Sequence, residues 1–181
     1  MQRALPKLPA KAAYILINNP ARRNALSLAT LQDLRDQLAR SLTSPLTGRP
    51  LLLPPFRPSV LSALERAAGH PPATGEKKQD DSYSNDKDDD LTWLVDPAAW
   101  YRLRPSLPAV LVLRSSHPAG SVFSSGHDLR ELSTLGTAEV RRTFALCAEV
   151  MSLMRRSPAP VVCAVEGLAT RRDAARHERR T

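Results

Sequence analysis

The residues best suited to chemistry lie in one short stretch, Gly120-Ser-Val-Phe-Ser-Ser-Gly-His-Asp-Leu-Arg-Glu-Leu132. An apolar run typical of a strand, residues 109–115, precedes it, and a segment with helical spacing follows. Between a strand and a helix start, backbone N–H groups can point into a ligand site. Gly126 can adopt a positive φ that lets a ligand approach the main chain, and Asp128 can cap the following helix. An ordinary connecting loop is the alternative interpretation of this stretch alone.

Composition and charge restrict the class of protein. A chain of 181 residues is expected to form one domain, although 16 Pro against 3 Phe and 2 Trp is unusual for a compact one. The formal net charge is +8, which would permit contact with nucleic acids or anionic ligands. Much of this charge is concentrated at the end of the sequence, without interleaved aromatic residues: Arg171, Arg172, Arg176, Arg179 and Arg180. The distribution therefore disfavours a nucleic-acid-binding protein.

The cysteines and the apolar runs indicate neither a metal site nor a membrane protein. Cys147 and Cys163 have neither zinc nor redox spacing, and we expect them to be small buried apolar residues. No apolar run is long enough to span a bilayer, and no secretory signal is visible. Residues 1–24 are basic and lack Asp and Glu, which weakly resembles an organelle-targeting leader.

The first half of the chain contains a predicted strand, loop and helix. Residues 13–18 favour an extended strand, which Asn19-Pro20 ends. Ser27 is a good N-cap for a helix that extends to about Arg40. Four leucines with helical spacing predict the buried stripe of this helix: Leu28, Leu31, Leu34 and Leu38.

The second half repeats this alternation. We predict a strand over 110–114, a helix over about 138–155 that Thr137 could cap, and a buried strand over 161–165. One apolar face of the helix is expected to enter the core through Val140, Phe144, Cys147, Met151 and Met154, with Val150 beside them. Because right-handed crossovers join successive strands in this order of elements, the fold class is α/β with a mostly parallel sheet.

The segment between these halves, residues 44–108, is proline-rich and partly acidic, and is called the proline-rich segment below. Its acidic run at 76–90 cannot bury enough apolar surface to offset its ordering entropy, so we predict a long disordered insert. Residues 59–68 could form a short helix, and Trp93 and Trp100-Tyr101 could dock locally. Its composition is typical of inserted sequence, and unspliced intervening sequence is one hypothesis for its origin.

Three motifs in order give the chain a family resemblance. They are Asn18-Asn-Pro-Ala-Arg-Arg-Asn-Ala-Leu-Ser27, Val122-Phe-Ser-Ser-Gly-His-Asp-Leu-Arg-Glu-Leu132, and Pro158-Ala-Pro-Val-Val-Cys-Ala-Val-Glu-Gly-Leu-Ala169. Together they resemble the enoyl-CoA hydratase/isomerase (crotonase) family. The resemblance divides the chain into a partial crotonase-like domain at 12–43 and 109–170, an insert at 44–108 and a basic tail at 171–181.

The resemblance implies a fold, a ligand and a reaction type. The fold would be a partial ββα spiral, in a family that usually forms trimers or hexamers. The ligand would be a fatty acyl-CoA thioester, bound as substrate in mitochondrial lipid metabolism without a further cofactor or metal. The family holds the thioester oxygen with two backbone N–H groups, which act on the charge that develops in the transition state. The first donor falls on His127, so the imidazole itself is not required for that role.

The resemblance also assigns the binding residues. Gly126, His127, Asp128 and Leu129 would line the acyl-CoA, and Arg23 and Ala25 would approach the CoA nucleotide. A cation beside phosphate groups is physically sensible at Arg23, with a solvated loop charge as the alternative.

The end of the sequence departs from the family pattern. The second backbone donor falls on Arg172 and the first catalytic glutamate on Ala175, while Glu166 lies on the strand side of its turn. A hydratase needs carboxylates to position and deprotonate water. We therefore expect a truncated, catalytically incomplete lyase or isomerase homologue. A non-catalytic acyl-CoA-binding or decoy subunit of the family trimer is the alternative.

Overall fold

A computed structural model describes residues 11–55, 57–69, 91–116 and 122–169. Its main sheet has three parallel strands in the order β1 (Ala12–Ile17), β2 (Val110–Ser115) and β4 (Val161–Ala164). Ile15 pairs with Leu113, which in turn pairs with Cys163. The predicted α/β class with parallel strands is therefore confirmed.

Helix α1 (Leu28–Leu42) begins where the sequence predicts it. The Ser27 side chain accepts a hydrogen bond from the Thr30 N–H at 3.1 Å, which is the geometry of an N-cap. The leucines of the predicted stripe face the core, with Leu28 only half-buried at its start and Leu42 added at its end. The Gln37 amide bonds both the N–H and the C=O of Leu16, at 2.8 and 3.0 Å, and so fixes α1 against β1.

Helix α6 (Thr137–Arg155) packs beside α1 over the sheet through a face that only partly coincides with the predicted one. Val150 is buried and Met154 packs against the core as expected, together with the buried Thr143 and Leu146, while Phe144 and Met151 are 50% and 54% exposed. The prediction is partly wrong because apolar residues occur on more than one face of this helix, so spacing alone does not select the buried one. The helix start also differs, since Gly136 is the N-cap residue and the Glu139 carboxylate accepts the Gly136 N–H at 3.0 Å.

One apolar cluster joins the main sheet to the two helices that cover it. It combines side chains of β1, α1, β2 and α6 with Ala159: Ile15, Ile17, Leu34, Leu38, Leu42, Leu111 and Val150. Strand β4, predicted to be buried, is instead largely open to solvent within the described part of the chain, with Val162 at 51% exposure. Cys163 is exposed and Cys147 half-buried, so the prediction that both are buried is wrong.

The proline-rich segment has helices near both ends, so a disordered insert does not extend over the whole segment. The short helix predicted over 59–68 and the local docking of Trp93 are both observed. The segment contains α2 (Pro58–Ala67), α3 (Thr92–Val95) and α4 (Pro97–Leu103). Leu51, Trp93 and Leu107 form a second apolar cluster, because the few large apolar residues of this segment are concentrated near its ends. The acidic run at 76–90 lies outside the described residues.

A second, two-stranded sheet carries the chemically interesting turn. Strand β3 (Val122–Ser124) pairs in parallel with β5 (Leu168–Ala169), with Val122 opposite Leu168. After β3 the chain enters a turn and then the one-turn helix α5 (Leu129–Leu132). The turn thus lies directly beyond the end of a short strand that β5 supports.

Candidate functional site

Two loops that are far apart in sequence lie side by side, at residues 22–26 and 124–128, and are called the two-loop junction below. Leu26 and His127 form a parallel β-bridge. The Leu26 N–H donates to the Gly126 carbonyl at 2.8 Å, and the Asp128 N–H donates to the Leu26 carbonyl at 3.3 Å. In a parallel bridge of this kind, the residue that lies between the two bonded groups, here His127, directs its own N–H away from the partner segment. The His127 N–H therefore points away from Leu26, and it has no hydrogen-bond partner within the described residues.

The backbone conformation of the junction explains several residue types. Gly126 has φ +80°, so the sequence-based expectation of a positive φ is confirmed. Arg23 and Asn24 also lie in the left-handed region, at φ 52° and 54°. Of these two, asparagine is the type that tolerates this region well, since its short polar side chain can hydrogen-bond locally. Positive φ values therefore shape both loops, at Arg23 and Asn24 in the first and at Gly126 in the second.

Asp128 caps α5, as its position in the sequence predicts. One carboxylate oxygen accepts the N–H groups of Arg130 and Glu131, both at 3.1 Å. Asp128 is buried, and the Arg22 guanidinium approaches it at 3.9 Å with about half of its side chain exposed. At that distance and exposure the ion pair contributes little free energy, so the cap is the main role of the carboxylate.

An open cleft of about 520 Å³ lies at the junction. Five of the six sequence-predicted binding residues line it: Arg23, Ala25, His127, Asp128 and Leu129. Gly126 belongs to the same turn but is not part of the lining. Further lining residues, which sequence reasoning did not select, are Ala21, Arg22, Ser125 and Arg130. Arg22 and Arg130 lie within the motifs at 18–27 and 122–132, which is the signal that could have identified them.

The lining is cationic. Arg22, Arg23 and Arg130 contribute three guanidinium groups, whereas Asp128 is the one carboxylate among the described lining residues. Guanidinium groups bind phosphate oxygens with matched geometry. The cleft therefore suits an anionic ligand.

Asn24 is a structural centre of the junction that sequence reasoning missed. It is completely buried, and its carboxamide bonds three groups: the Asn19 N–H, the Ser115 hydroxyl and the Val122 carbonyl. Two of those partners lie 91 and 98 residues away in sequence, so no local pattern could indicate them.

Glu131 connects the junction to α1. Its carboxylate accepts the N–H of Leu28, the first residue of α1, at 3.0 Å. Residues 103 apart in sequence are thereby held together, and a helix start gains an anionic partner. The two helices that follow the loops consequently begin from one hydrogen-bonded unit.

The His127 side chain is separate from its backbone N–H. The imidazole packs on Phe144 of α6, with ring centroids 5.0 Å apart. Its Nε2 atom is buried and has no hydrogen-bond partner among the described residues. No neighbouring carboxylate orients the ring there, so the geometry gives no support for an acid–base role.

Of the remaining positions discussed from the sequence, two lie outside the described residues and one lies away from the cleft. Arg172 and Ala175, which the resemblance matched to a second donor and a glutamate, lie outside the described residues. Glu166 lies in the turn between β4 and β5, where its carboxylate is 3.7 Å from the buried Arg114 guanidinium. Gly167 follows with φ +86°. Glu166 thus contacts β2 and does not line the cleft.

The described residues contain neither a metal-binding cluster nor a membrane-spanning helix. Those residues include no group of three or more His, Cys, Asp or Glu side chains that could hold a metal ion. Among the helices of the same part of the chain, none is long and apolar enough to cross a membrane.

Comparison with known proteins gives a local match. No family model matches the chain. A stretch of 52 residues, 28% of this chain, is 50% identical to "Enoyl-CoA hydratase domain-containing protein 3, mitochondrial" of Danio rerio and 52% identical to its counterpart in Rattus norvegicus. The Homo sapiens counterpart is 47% identical over 51 residues. The matched stretch spans only 17–18% of the length of these relatives.

Solved structures resemble the fold more loosely. Human enoyl-CoA hydratase domain-containing protein 3 aligns over 89% of this chain and 39% of its own, at 24% identity and a TM-score of 0.46. An enoyl-CoA hydratase of Bacillus anthracis aligns over 87% and 36%, at 16% identity and a TM-score of 0.48. The sequence match confirms the predicted resemblance: over 52 residues, this chain is similar to proteins named for the enoyl-CoA hydratase domain.

Proposed function

We propose that this chain, as a partial member of the crotonase family, binds an acyl-CoA thioester at the two-loop junction. In this proposal the backbone N–H of His127 donates to the thioester oxygen. The observation that carries the proposal is the orientation of that N–H, which the Leu26 bridge turns outward and leaves without a partner in the described residues.

The chemistry of a thioester suits such a donor. When a proton is removed beside the carbonyl, or a nucleophile adds to the conjugated double bond, negative charge develops on the thioester oxygen. A fixed backbone donor stabilises that charge, with a typical value of about 3 kcal/mol in the transition state. Because the junction fixes the turn on both sides, the donor would need little reorganisation when the ligand binds.

The cations of the cleft supply the second part of the proposal. Arg22, Arg23 and Arg130 lie on the lining together with the turn that carries the donor. The phosphate groups of CoA are the part of an acyl-CoA that a guanidinium recognises best. We infer that the arginines bind the nucleotide portion, while residues 126–129 contact the thioester.

The described carboxylates favour binding over hydration. Asp128 is the one acidic residue of the described lining, and it already accepts two backbone N–H groups. Glu131 accepts the Leu28 N–H. A hydratase uses carboxylates to position and deprotonate water, and these two are committed to helix caps. We therefore propose that the chain by itself binds acyl-CoA without hydrating it, and sustained hydration of crotonyl-CoA by the pure chain would refute this.

Binding can be tested by titration calorimetry with CoA and with acetyl-CoA. The wild-type chain is expected to bind both ligands. Arg23→Ser should weaken both affinities about tenfold, since a charged hydrogen bond to phosphate is lost. Arg35→Ser is the matched control, because Arg35 lies on α1, pairs with Asp36 at 2.8 Å and does not line the cleft. Absence of CoA binding by the wild-type chain, or equal losses in both variants, would contradict the proposal.

A second candidate is a non-catalytic subunit that assembles with complete family members, which usually form trimers. The observation in its favour is the apolar surface of the second half, where Met151, Val162 and Leu168 are 54%, 51% and 59% exposed. Contacts between subunits could cover such residues. Co-expression with a full-length relative, followed by affinity capture of this chain, should recover both proteins. Recovery of this chain alone would argue against the decoy function.

The relatives also suggest where the protein acts. Their names include the word mitochondrial, and we propose the same location and a role in fatty-acid metabolism for this chain. Fractionation of cells that express the full chain with a C-terminal tag should place it with a matrix marker. Its exclusive recovery with a cytosolic marker would contradict the proposed location.

A further inference from the structure

We propose that Asn24 is a positioning residue for the proposed donor. Its side chain would set where the His127 N–H lies relative to Arg23 and Ala25. Asn24 does not line the cleft, so any effect on a ligand must pass through the turn. The ligand part of this inference rests on the proposed function, whereas the part that concerns the protein alone does not.

The burial of Asn24 makes its hydrogen bonds obligatory. It has 0% exposure, although its neighbours Arg22 and Arg23 are exposed. A buried amide that lacks partners is strongly disfavoured. Here the amide is fully used: Oδ1 accepts the Asn19 N–H at 2.9 Å, and Nδ2 donates to the Ser115 hydroxyl at 2.5 Å and to the Val122 carbonyl at 3.2 Å.

These partners belong to three different parts of the fold. Asn19 follows β1, Ser115 ends β2 and Val122 begins β3. A single side chain therefore fixes the first loop to the ends of two strands. No other side chain of the described junction bonds three separate segments.

A second path leads from Asn24 to the donor through Ser124. The Ser124 hydroxyl donates to the main-chain carbonyl of Asn24 at 3.0 Å. The Ser124 hydroxyl oxygen in turn accepts the Gly126 N–H at 3.2 Å. Gly126 immediately precedes His127, so only two hydrogen bonds separate Asn24 from the peptide that orients the donor.

The backbone of Asn24 adds a reason for this residue type. Its φ of 54° is in the left-handed region, where asparagine and aspartate are tolerated better than most residues. Aspartate has the same shape and tolerance, but a carboxylate cannot donate to the Val122 carbonyl. Asn24→Asp thus removes the donor function and leaves the backbone preference in place.

The first test is hydrogen exchange of backbone amides in the full chain without ligand. The informative amides are those of Leu26 and Asp128, which form the bridge around His127. Asn24→Asp and the milder Ser124→Ala should raise their exchange rates about tenfold beyond any change in global unfolding. Leu38→Ala is the control, because this buried residue of α1 lies in the main core and should affect all protected amides alike.

The relative protection of the Leu26 and Asp128 amides decides whether Asn24 positions the turn. Selective loss of protection at Leu26 and Asp128 in Asn24→Asp supports positioning by Asn24, and the same loss in Ser124→Ala supports the path through Ser124. Unchanged relative protection in both variants overturns it. If Asn24→Asp does not fold, Asn24→Gly decides in its place, since glycine accepts the left-handed backbone and removes the carboxamide.

The second test uses acetyl-CoA labelled with ¹³C at the thioester carbonyl. In wild type and in Leu38→Ala, the infrared stretch of the bound carbonyl should move to lower frequency because the His127 N–H polarises it. In the two junction variants this displacement should shrink, while the affinity for free CoA is retained. A full displacement in both variants would overturn the role of Asn24. Failure of wild type to bind acetyl-CoA would refute the proposed function, and the exchange test would still decide whether Asn24 positions the turn.

Discussion

The two-loop junction and the flank formed by α6, β4 and β5 (residues 137–169) are built in opposite ways. At the junction, most polar side chains are paired: Asn24, Asp128 and Glu131 together satisfy six hydrogen-bonding groups on five chain segments. On the flank, large apolar side chains are half exposed, among them Phe144, Met151 and Val162. Most polar side chains of the junction thus find their partners on the neighbouring segments, whereas the flank leaves apolar surface uncovered in the described part of the chain.

This difference shows which geometry depends on neighbouring loops alone. Hydrogen bonds between two neighbouring loops need only those loops, so the backbone of the turn at His127 is held independently of the flank. Apolar faces need other layers to cover them. Recognisable binding geometry and a poorly covered surface can therefore occur in one molecule.

The largest expected effect tests the boundary between core and flank on α6. Val150 is 3% exposed and lies in the main core, whereas its neighbour Met151 is 54% exposed. Val150→Ala should lower the free energy of unfolding by about 2 kcal/mol, because a cavity forms beneath the sheet. Met151→Ala should change it by less than about 0.5 kcal/mol. Urea unfolding followed by circular dichroism measures both, and equal losses would show that the helix is rotated from the described orientation.

The next effect concerns the cap at the junction. Asp128→Ala should cost about 1–2 kcal/mol of unfolding free energy, because two N–H groups at the start of α5 lose their acceptor. Asp128→Asn should cost less, since an amide oxygen can still accept. If alanine and asparagine proved equally mild, the cap would not stabilise the junction.

A smaller effect is expected at Glu131. Glu131→Ala should cost about 0.5–1 kcal/mol, because the Leu28 N–H at the start of α1 loses an anionic acceptor. Glu139→Ala is the matched comparison, since Glu139 bonds the Gly136 N–H at the same 3.0 Å but is exposed on the flank. Chemical denaturation should show the larger loss for Glu131, and the reverse order would contradict the contrast between the two regions.

The smallest perturbation uses the free thiols of the flank. Cys163 is exposed on β4, whereas Cys147 is half-buried on α6. Burial raises the pKa of the Cys147 thiol, which reduces its thiolate fraction at neutral pH. Iodoacetamide should therefore modify Cys163 first, as peptide mass spectrometry can follow. Faster modification of Cys147 would mean that the flank opens in solution.

Local chemistry could be predicted from the sequence, and long-range contacts could not. The Ser27 and Asp128 caps and the positive φ of Gly126 follow from neighbouring residues, and all three are observed. The partners of Asn24 and Glu131 lie about a hundred residues away, and only the folded chain brings them together. The buried face of α6 was predicted only in part, because its apolar residues surround much of the helix.

The proline-rich segment shows a second limit of such prediction. Its composition favours disorder as a whole, and only its tryptophans indicated local packing, whereas Leu51 and Leu107, which join Trp93 in a local cluster, gave no such signal. A few large apolar side chains at the ends of a polar segment can fold those ends, while the average composition conceals them.

Substitution of a single residue, His127, tests the central claim most directly. His127→Ala removes the imidazole and keeps the backbone N–H, whereas His127→Pro removes the N–H itself. We predict that His127→Ala binds acetyl-CoA like wild type and that His127→Pro binds it about threefold to tenfold more weakly, with unchanged affinity for free CoA. Calorimetry on both folded variants decides the matter. Equal binding of acetyl-CoA by the two variants would contradict the assignment of the His127 N–H as the thioester donor.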